Sequence, residues 1–234
     1  MKIFYDLHIH SALSPCGDED MTPNNIVNMS LLKGLDVIAV TDHNSCGNVR
    51  AVMEAAGDRL LVIPGMEVES AEEVHILCYF PCLEKAEQMW SLLKKNRMPV
   101  RNRPEIFGRQ LYLSGEDEIL GEEEYLLTAA TGLTAEQVFA AARALGGVPV
   151  PAHIDRPSYS VLSNLGFLPP ELNAAALEIT AGNREDWSER YGDYTLLTSS
   201  DAHYLGDIAE PVYYMDITAK TVDKILEKLT NKKC

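Results

Sequence analysis

Every histidine of this chain lies in a short apolar run that ends in a turn. His8 and His10 stand in Asp6-Leu7-His8-Ile9-His10-Ser11, and His43 in Thr41-Asp42-His43. His75 stands in Val74-His75-Ile76-Leu77, His153 in Pro151-Ala152-His153, and His203 in Ser200-Asp201-Ala202-His203. Neutral imidazole offers a lone pair at neutral pH and is the commonest metal ligand among side chains. Six of them at strand ends are most simply read as one metal site. His8 and His10 are two apart, so on an extended strand they face the same way and can chelate one ion. Asp201 and His203 repeat that spacing. Glu67 follows Pro64-Gly65, read as a turn, and its two oxygens can bridge two ions. Imidazole and carboxylate without paired cysteines suit zinc, manganese or iron.

Strands alternating with helices must position these side chains. Residues 3–8 read as strand one. Thr22-Pro23 opens a helix as N-cap and first helical residue, and Gly34 closes it. Residues 35–41 form a nearly continuous apolar strand. A short helix over 48–56 precedes strand three at 60–64 and strand four at 74–80. A helix over 83–95 follows, then an irregular stretch from 98 to 132. Thr134 and Gln137 have capping-box spacing and start a helix that ends near 145. Strands five, six and seven fall at 148–152, 175–180 and 195–199, and an amphipathic helix at 221–229 closes the chain. This alternation predicts an α/β fold with a mostly parallel sheet. Candidate ligands come from six of the seven strands, which a closed ring can gather and a flat sheet cannot. Barrel enzymes also place catalysis at the C-terminal ends of their strands.

The chain has 234 residues, 46% of them hydrophobic, which fits one domain over residues 1–234. The first residues lack the apolar run of a signal peptide, and no segment is long enough to cross a membrane. Five cysteines, an odd number without a Cys-x-x-Cys pair, argue against a disulfide framework and for a reducing cytoplasm. The net charge of −15 and a pI near 4.8 disfavour a grip on long nucleic acid. A small phosphorylated substrate is compatible with that charge, because bound cations invert the local field.

The six motifs, taken with Gly65-Met66-Glu67 and in this order, resemble those of the PHP (polymerase and histidinol phosphatase) family. The resemblance runs from residue 6 to residue 203. It implies a distorted seven-stranded (β/α)7 TIM-like barrel that hydrolyses phosphoesters with two or three divalent metal ions. It implies one ion held by His8, His10, Glu67 and Asp201. A second would be held by Glu67, His75 and His153, and a third by His43 and His203. The family's further ligand after His-x-His falls near Ser14-Pro15-Cys16-Gly17-Asp18, where Cys16 matches by spacing and Asp18 is the substitute. Two ions roughly 3.5–4 Å apart can activate a bridging water and clamp phosphate oxygens. Catalytic roles then fall to Glu67, Asp201 and His203, with Asp201 or His203 protonating the leaving oxygen. Asp42 is placed behind His43 or another ligand, orienting it.

Arginine fits phosphate bidentately. Arg156, three residues past His153, is the first candidate for binding substrate phosphate. Arg109 follows, then Arg101 and Arg103. The leading function is a phosphoesterase acting on a small phosphomonoester or a nucleotide-like phosphate ester. Its competitors are a nuclease of the proofreading type and a metal-holding regulatory domain without turnover. Amidohydrolases also open with His-x-His, but many bridge their metals with a carboxylated lysine, and here Glu67 takes that place.

Overall fold

A computed structural model describes residues 1–180, 182 and 184–230. Cys234 lies outside them. The first half comprises β1 (Lys2–Ile9), α1 (Pro23–Leu32), β2 (Val37–Val40), α2 (Val49–Ala56), β3 (Leu61–Glu69), β4 (His75–Tyr79) and α3 (Leu83–Asn96). Next come α4 (Pro104–Phe107), a hairpin of β5 (Leu111–Leu113) and β6 (Ile119–Glu122), α5 (Ala135–Ala144) and β7 (Val148–Pro151). The remainder is α6 (Val161–Leu165), β8 (Ala176–Glu178), α7 (Arg184–Arg190), β9 (Thr195–Leu197), β10 (Tyr214–Asp216) and α8 (Val222–Thr230). All seven predicted strands form. The predicted caps of the first and fifth helices also form: Thr22 accepts from Asn25 N–H, and Thr134 with Gln137 makes the reciprocal capping box.

The sheet differs from the mostly parallel one predicted. Six strands pair in the order β10-β1-β2-β3-β4-β7, and β8 pairs only with β9. β1, β2 and β3 are parallel, but β4 is antiparallel to β3 and to β7, and β10 is antiparallel to β1. The cause is local. β3 reverses within Ser70–Val74, where Ser70 N–H donates to the Val74 carbonyl and Glu73 takes a φ of 58°. A parallel crossover needs a dozen residues or more. Pro64-Gly65 is also a correction, because β3 continues through it and Glu67 lies within the strand. Gly65 allows close packing there: a Cβ would sit 3.0 Å from Thr41 Cγ2 and 3.3 Å from the Cys78 carbonyl oxygen, so those neighbours would have to give.

The sheet is curled. Tyr5, Leu7, Ala39, Ile63, Leu77, Val150, Ala176 and Leu197 come from all seven predicted strands and pack into one inner cluster. Ile38, Val62, Ile76, Leu177 and Leu196 face outward into the larger core against the helices. The seams on either side of β8–β9 carry isolated hydrogen bonds, Ile154 N–H to the Glu178 carbonyl and His10 N–H to the Ala202 carbonyl. The described strands are therefore a curled mixed sheet plus a parallel pair, not a continuously hydrogen-bonded ring of seven.

Candidate metal centre

The inner cluster ends where the histidines begin. On β1, Ile3, Tyr5 and Leu7 face inward, and simple alternation would send His8 and His10 outward. The register against β2 shifts between Asp6 and Ile9, which inserts one extra residue into β1. A bulge of this kind reverses the facing of everything beyond it. Ile9 joins the outer core, and His8 and His10 come to the inner mouth, both fully buried. His75 opens β4 rather than closing it, yet the antiparallel turn brings it to the same end. His153 and Asp201 have φ of 27° and 54°, in the left-handed region that non-glycine residues rarely occupy. Strain of this kind persists where the surrounding structure fixes it, and it clusters at functional sites.

Glu67 is the centre of the arrangement and is 1% exposed. Its Oε1 lies 2.9 Å from His75 Nδ1, 3.3 Å from His153 Nε2 and 3.4 Å from His8 Nε2. Its Oε2 lies 3.1 Å from His43 Nδ1 and 3.4 Å from His10 Nε2. Asp201 Oδ1 is 3.1 Å from Nε2 of both His8 and His10, and those two nitrogens are 3.2 Å apart. Despite these distances, both Glu67 oxygens, His43 Nδ1 and His153 Nδ1 lack a hydrogen bond of acceptable geometry. A buried carboxylate with five imidazoles around it and no donor aimed at it fits divalent cations. Among the described residues, three groups have possible ligand atoms within 4.8 Å of one another: His8, His10, Glu67 and Asp201; His43, Glu67 and His75; and His10, His43 and His203.

The electrostatics follow from burial and crowding. Burial opposes a charge on Glu67, but the neighbouring His75, His8 and His43 outweigh it and hold the carboxyl well below its usual range. Asp201 is likewise held low, by His8 and His10 against burial. Burial also opposes charge on His8, yet Asp201, Glu178 and Glu67 push it well above the ordinary histidine value. His75 rises to about 9 against burial, through Glu67 and Glu69. Burial pulls His43 well below its ordinary value and, with His10, pulls His203 down to about 4.

The weaker sequence candidates are placed differently. Cys16 belongs to none of the three groups and is exposed as a residue. Its thiol is hemmed in, and lost hydration, with Glu67 and Asp201 nearby, pushes it up to about 12. Asp18 accepts from Asp20 N–H, and its own N–H holds the His203 carbonyl. Arg156 reaches the centre: its Nη1 lies 2.5 Å from Asp201 Oδ2. Arg109 is engaged by Glu122 and Glu19, and Arg101 by Glu124. Arg103 lies over the Phe107 ring at 5.9 Å.

Asp42 acts through serines. It accepts from Ser11 N–H and Oγ and from Ser14 Oγ, and Ser14 Oγ in turn meets His10 Nδ1 at 2.9 Å and His43 N–H at 3.2 Å. Sequence reasoning missed Ser14, Glu69, Asp6 and Glu178. Asp6 accepts from Ser200 N–H and Oγ and so anchors the loop that carries Asp201. Glu178 had a readable signal, a carboxylate at the end of an apolar strand. Ser14 had none.

This fold and site define a candidate metalloprotein, and the comparisons give its family. The PHP domain family matches residues 6–232, and the chain belongs to that family. It resembles endonuclease Q of Pyrococcus furiosus, a lesion-specific endonuclease, with a TM-score of 0.74 and 21% identity over 98% of this chain and 56% of that one. A second endonuclease Q structure holds a 27-mer duplex with an abasic lesion at its active site; it aligns with a TM-score of 0.68 and 19% identity over the same shares. A candidate metal-dependent phosphoesterase of Bifidobacterium adolescentis aligns over 96% of this chain and 94% of its own, with a TM-score of 0.61 and 19% identity. An uncharacterized protein of Methanocaldococcus jannaschii, MJ0043, is 33% identical over 110 residues, 45% of this chain and 14% of that protein. The chain thus spans about half of endonuclease Q and a small part of MJ0043. No described helix is long and apolar enough to cross a membrane.

Proposed function

We propose that this chain hydrolyses a small phosphomonoester or a nucleotide-like phosphate ester at the Glu67-centred cluster. The observation that carries this reading is Glu67 itself, whose two buried, unpartnered oxygens are ringed by five imidazoles. His8, His10, Glu67 and Asp201 would hold one divalent ion. His43, Glu67, His75 and His153 would hold a second, with Glu67 bridging. His10, His43 and His203 would share a third. Zinc, manganese or iron suits these donors, and Cys16 or Asp18 would complete the third site only by moving. Such ions, when bound, supply Lewis acidity toward phosphoryl oxygens and an activated water.

The chain's own groups do the rest. Arg156 sits at the mouth with its side chain 40% exposed, and exchanging Asp201 for a phosphate oxygen would bind and orient the ester. The His203 side chain is 23% exposed, the most open of the ligand rings, and its Nδ1 meets the Asp201 carbonyl at 2.9 Å, which leaves Nε2 for the third ion. The seven strands around the inner cluster are read as a distorted (β/α)7 barrel. The free thiols of Cys16, Cys46, Cys78 and Cys82 suit a reducing cytoplasm.

The second reading is an endonuclease, favoured by the likeness to endonuclease Q over nearly the whole chain. The net charge of −15 is the ground for disfavouring long nucleic acid, and the likeness to an endonuclease Q structure that holds a duplex runs against that expectation. A panel of phosphomonoesters, cyclic diesters, single strands and an abasic duplex, assayed with manganese or zinc, decides between them. Turnover confined to the abasic duplex would replace the first reading with the second. No turnover on any substrate would leave a metal-holding regulatory domain.

A further inference from the structure

Glu178 ends β8 with a carboxylate that is 2% exposed and lies outside all three ligand groups. Burying an ionised group costs several kcal/mol unless it is paired. Its partners come from β1 and from the loop just past β7. Oε1 and Oε2 lie 3.1 and 3.0 Å from His8 Nδ1, and Oε2 accepts the His153 N–H at 3.1 Å. Its backbone carbonyl also accepts the Ile154 N–H at 2.9 Å. Among the described strands β8 pairs with β9 and makes no ladder with β7, and Glu178 crosses that seam while its side chain also reaches His8 on β1.

We propose that Glu178 is a positioning residue of the metal centre, fixing which ring nitrogen of His8 faces the cluster and holding the strained His153 backbone beside it. An ionised carboxylate only accepts, so a His8 ring that is neutral because it ligates must keep its proton on Nδ1. Its Nε2 lone pair then points to the side where Glu67 Oε1 and Asp201 Oδ1 lie, at 3.4 and 3.1 Å. His10 is backed at Nδ1 only by the neutral hydroxyl of Ser14, so the two rings of β1 are tuned differently. A carboxylate behind a ligating imidazole raises its basicity and fixes its orientation. At His153, the N–H of a residue with φ of 27° finds its acceptor in the same Oε2. This inference rests on the metal-centre reading above.

The test compares wild type with Glu178→Gln and Glu178→Leu. Zinc affinity is measured by chelator competition, and the His8 ring by long-range nitrogen–proton NMR of the zinc-loaded protein. Wild type should show the proton on Nδ1. Glu178→Leu should bind zinc about 10–100-fold more weakly and lose that single ring signature. Glu178→Gln keeps an acceptor but makes a neutral hydrogen bond of roughly half the strength, so it should keep the signature and lose about fivefold in affinity. If Glu178→Leu does not fold, Glu178→Gln decides alone. Affinities within twofold of wild type and an unchanged His8 nitrogen shift would overturn the proposal while leaving the metal centre intact. A wild-type protein that takes up no zinc, manganese or iron would overturn both.

Discussion

Glu67 and His75 carry the sharpest residue-scale consequences. Glu67→Ala removes the shared carboxylate and should lower metal content by at least one ion, with hydrolysis falling on the order of 10²–10³-fold. Metal analysis beside the substrate panel reads both, and a variant that keeps its metal and its rate would end the bridging assignment. His75 adds a pH dependence. Burial opposes its charge, but Glu67 and Glu69 raise it from 6.5 to about 9. In protein stripped of metal, its contribution to stability is therefore fully present below 6.5 and is lost as pH rises through about 9. A ligating ring must be neutral, so metal affinity should rise across that same window and binding near neutral pH should release protons. Calorimetry in buffers of different ionisation enthalpy counts them. His8 is raised as well and adds to that count, so His75→Ala should lower the count, and an unchanged count would remove His75 from the ligand set. His203, pulled down to about 4, is already neutral and adds nothing to that count.

At the scale of elements, the hairpin of β5 and β6 is the part that sequence periodicity left irregular. Strands of three and four residues give too short a pattern to read. Its place is set by Asn48, fully buried, whose amide donates to Ser11 Oγ and the Leu111 carbonyl and accepts from Leu113 N–H. This ties the hairpin to the His-x-His loop. Asn48→Ala should destabilise the fold by about 1–3 kcal/mol, because buried polar groups lose their partners. Denaturant unfolding measures it, and a change below about 0.5 kcal/mol would show the tie to be incidental. By contrast, the helix starts at Thr22 and Thr134 were legible, since capping depends on local spacing alone. The direction of β4 was not, because a five-residue reversal and a crossover leave similar apolar runs.

For the whole molecule, metal and charge set the expectations. Metal that binds only the folded state at about 1,000 times its dissociation constant adds roughly 4 kcal/mol. Stripping it should lower the unfolding midpoint by about 8–16 °C for a chain of this size. Thermal melts with and without chelator test this, and coincident curves would argue against a metal centre coupled to folding. The excess of 35 acidic over 20 basic residues predicts weak, sequence-independent duplex binding that fades as salt rises from 50 to 200 mM. Tight duplex binding that persists at the higher salt would favour the endonuclease reading.

The sequence by itself determined the types of candidate ligand, their order and the strands that lead to them, because those follow from residue chemistry and short-range period. The resemblance to the PHP family implied a group of His8, His10, Glu67 and Asp201, and the tertiary structure brings these four within 4.8 Å of one another. Only the tertiary structure decided which way they face. The extra residue in β1 turns His8 and His10 inward, the Ser70–Val74 reversal brings His75 to the common end, and Glu178 reaches across a seam to His8 and His153. Each is a contact between segments distant in the chain or a shift of one residue in register. Neither leaves a mark in local periodicity.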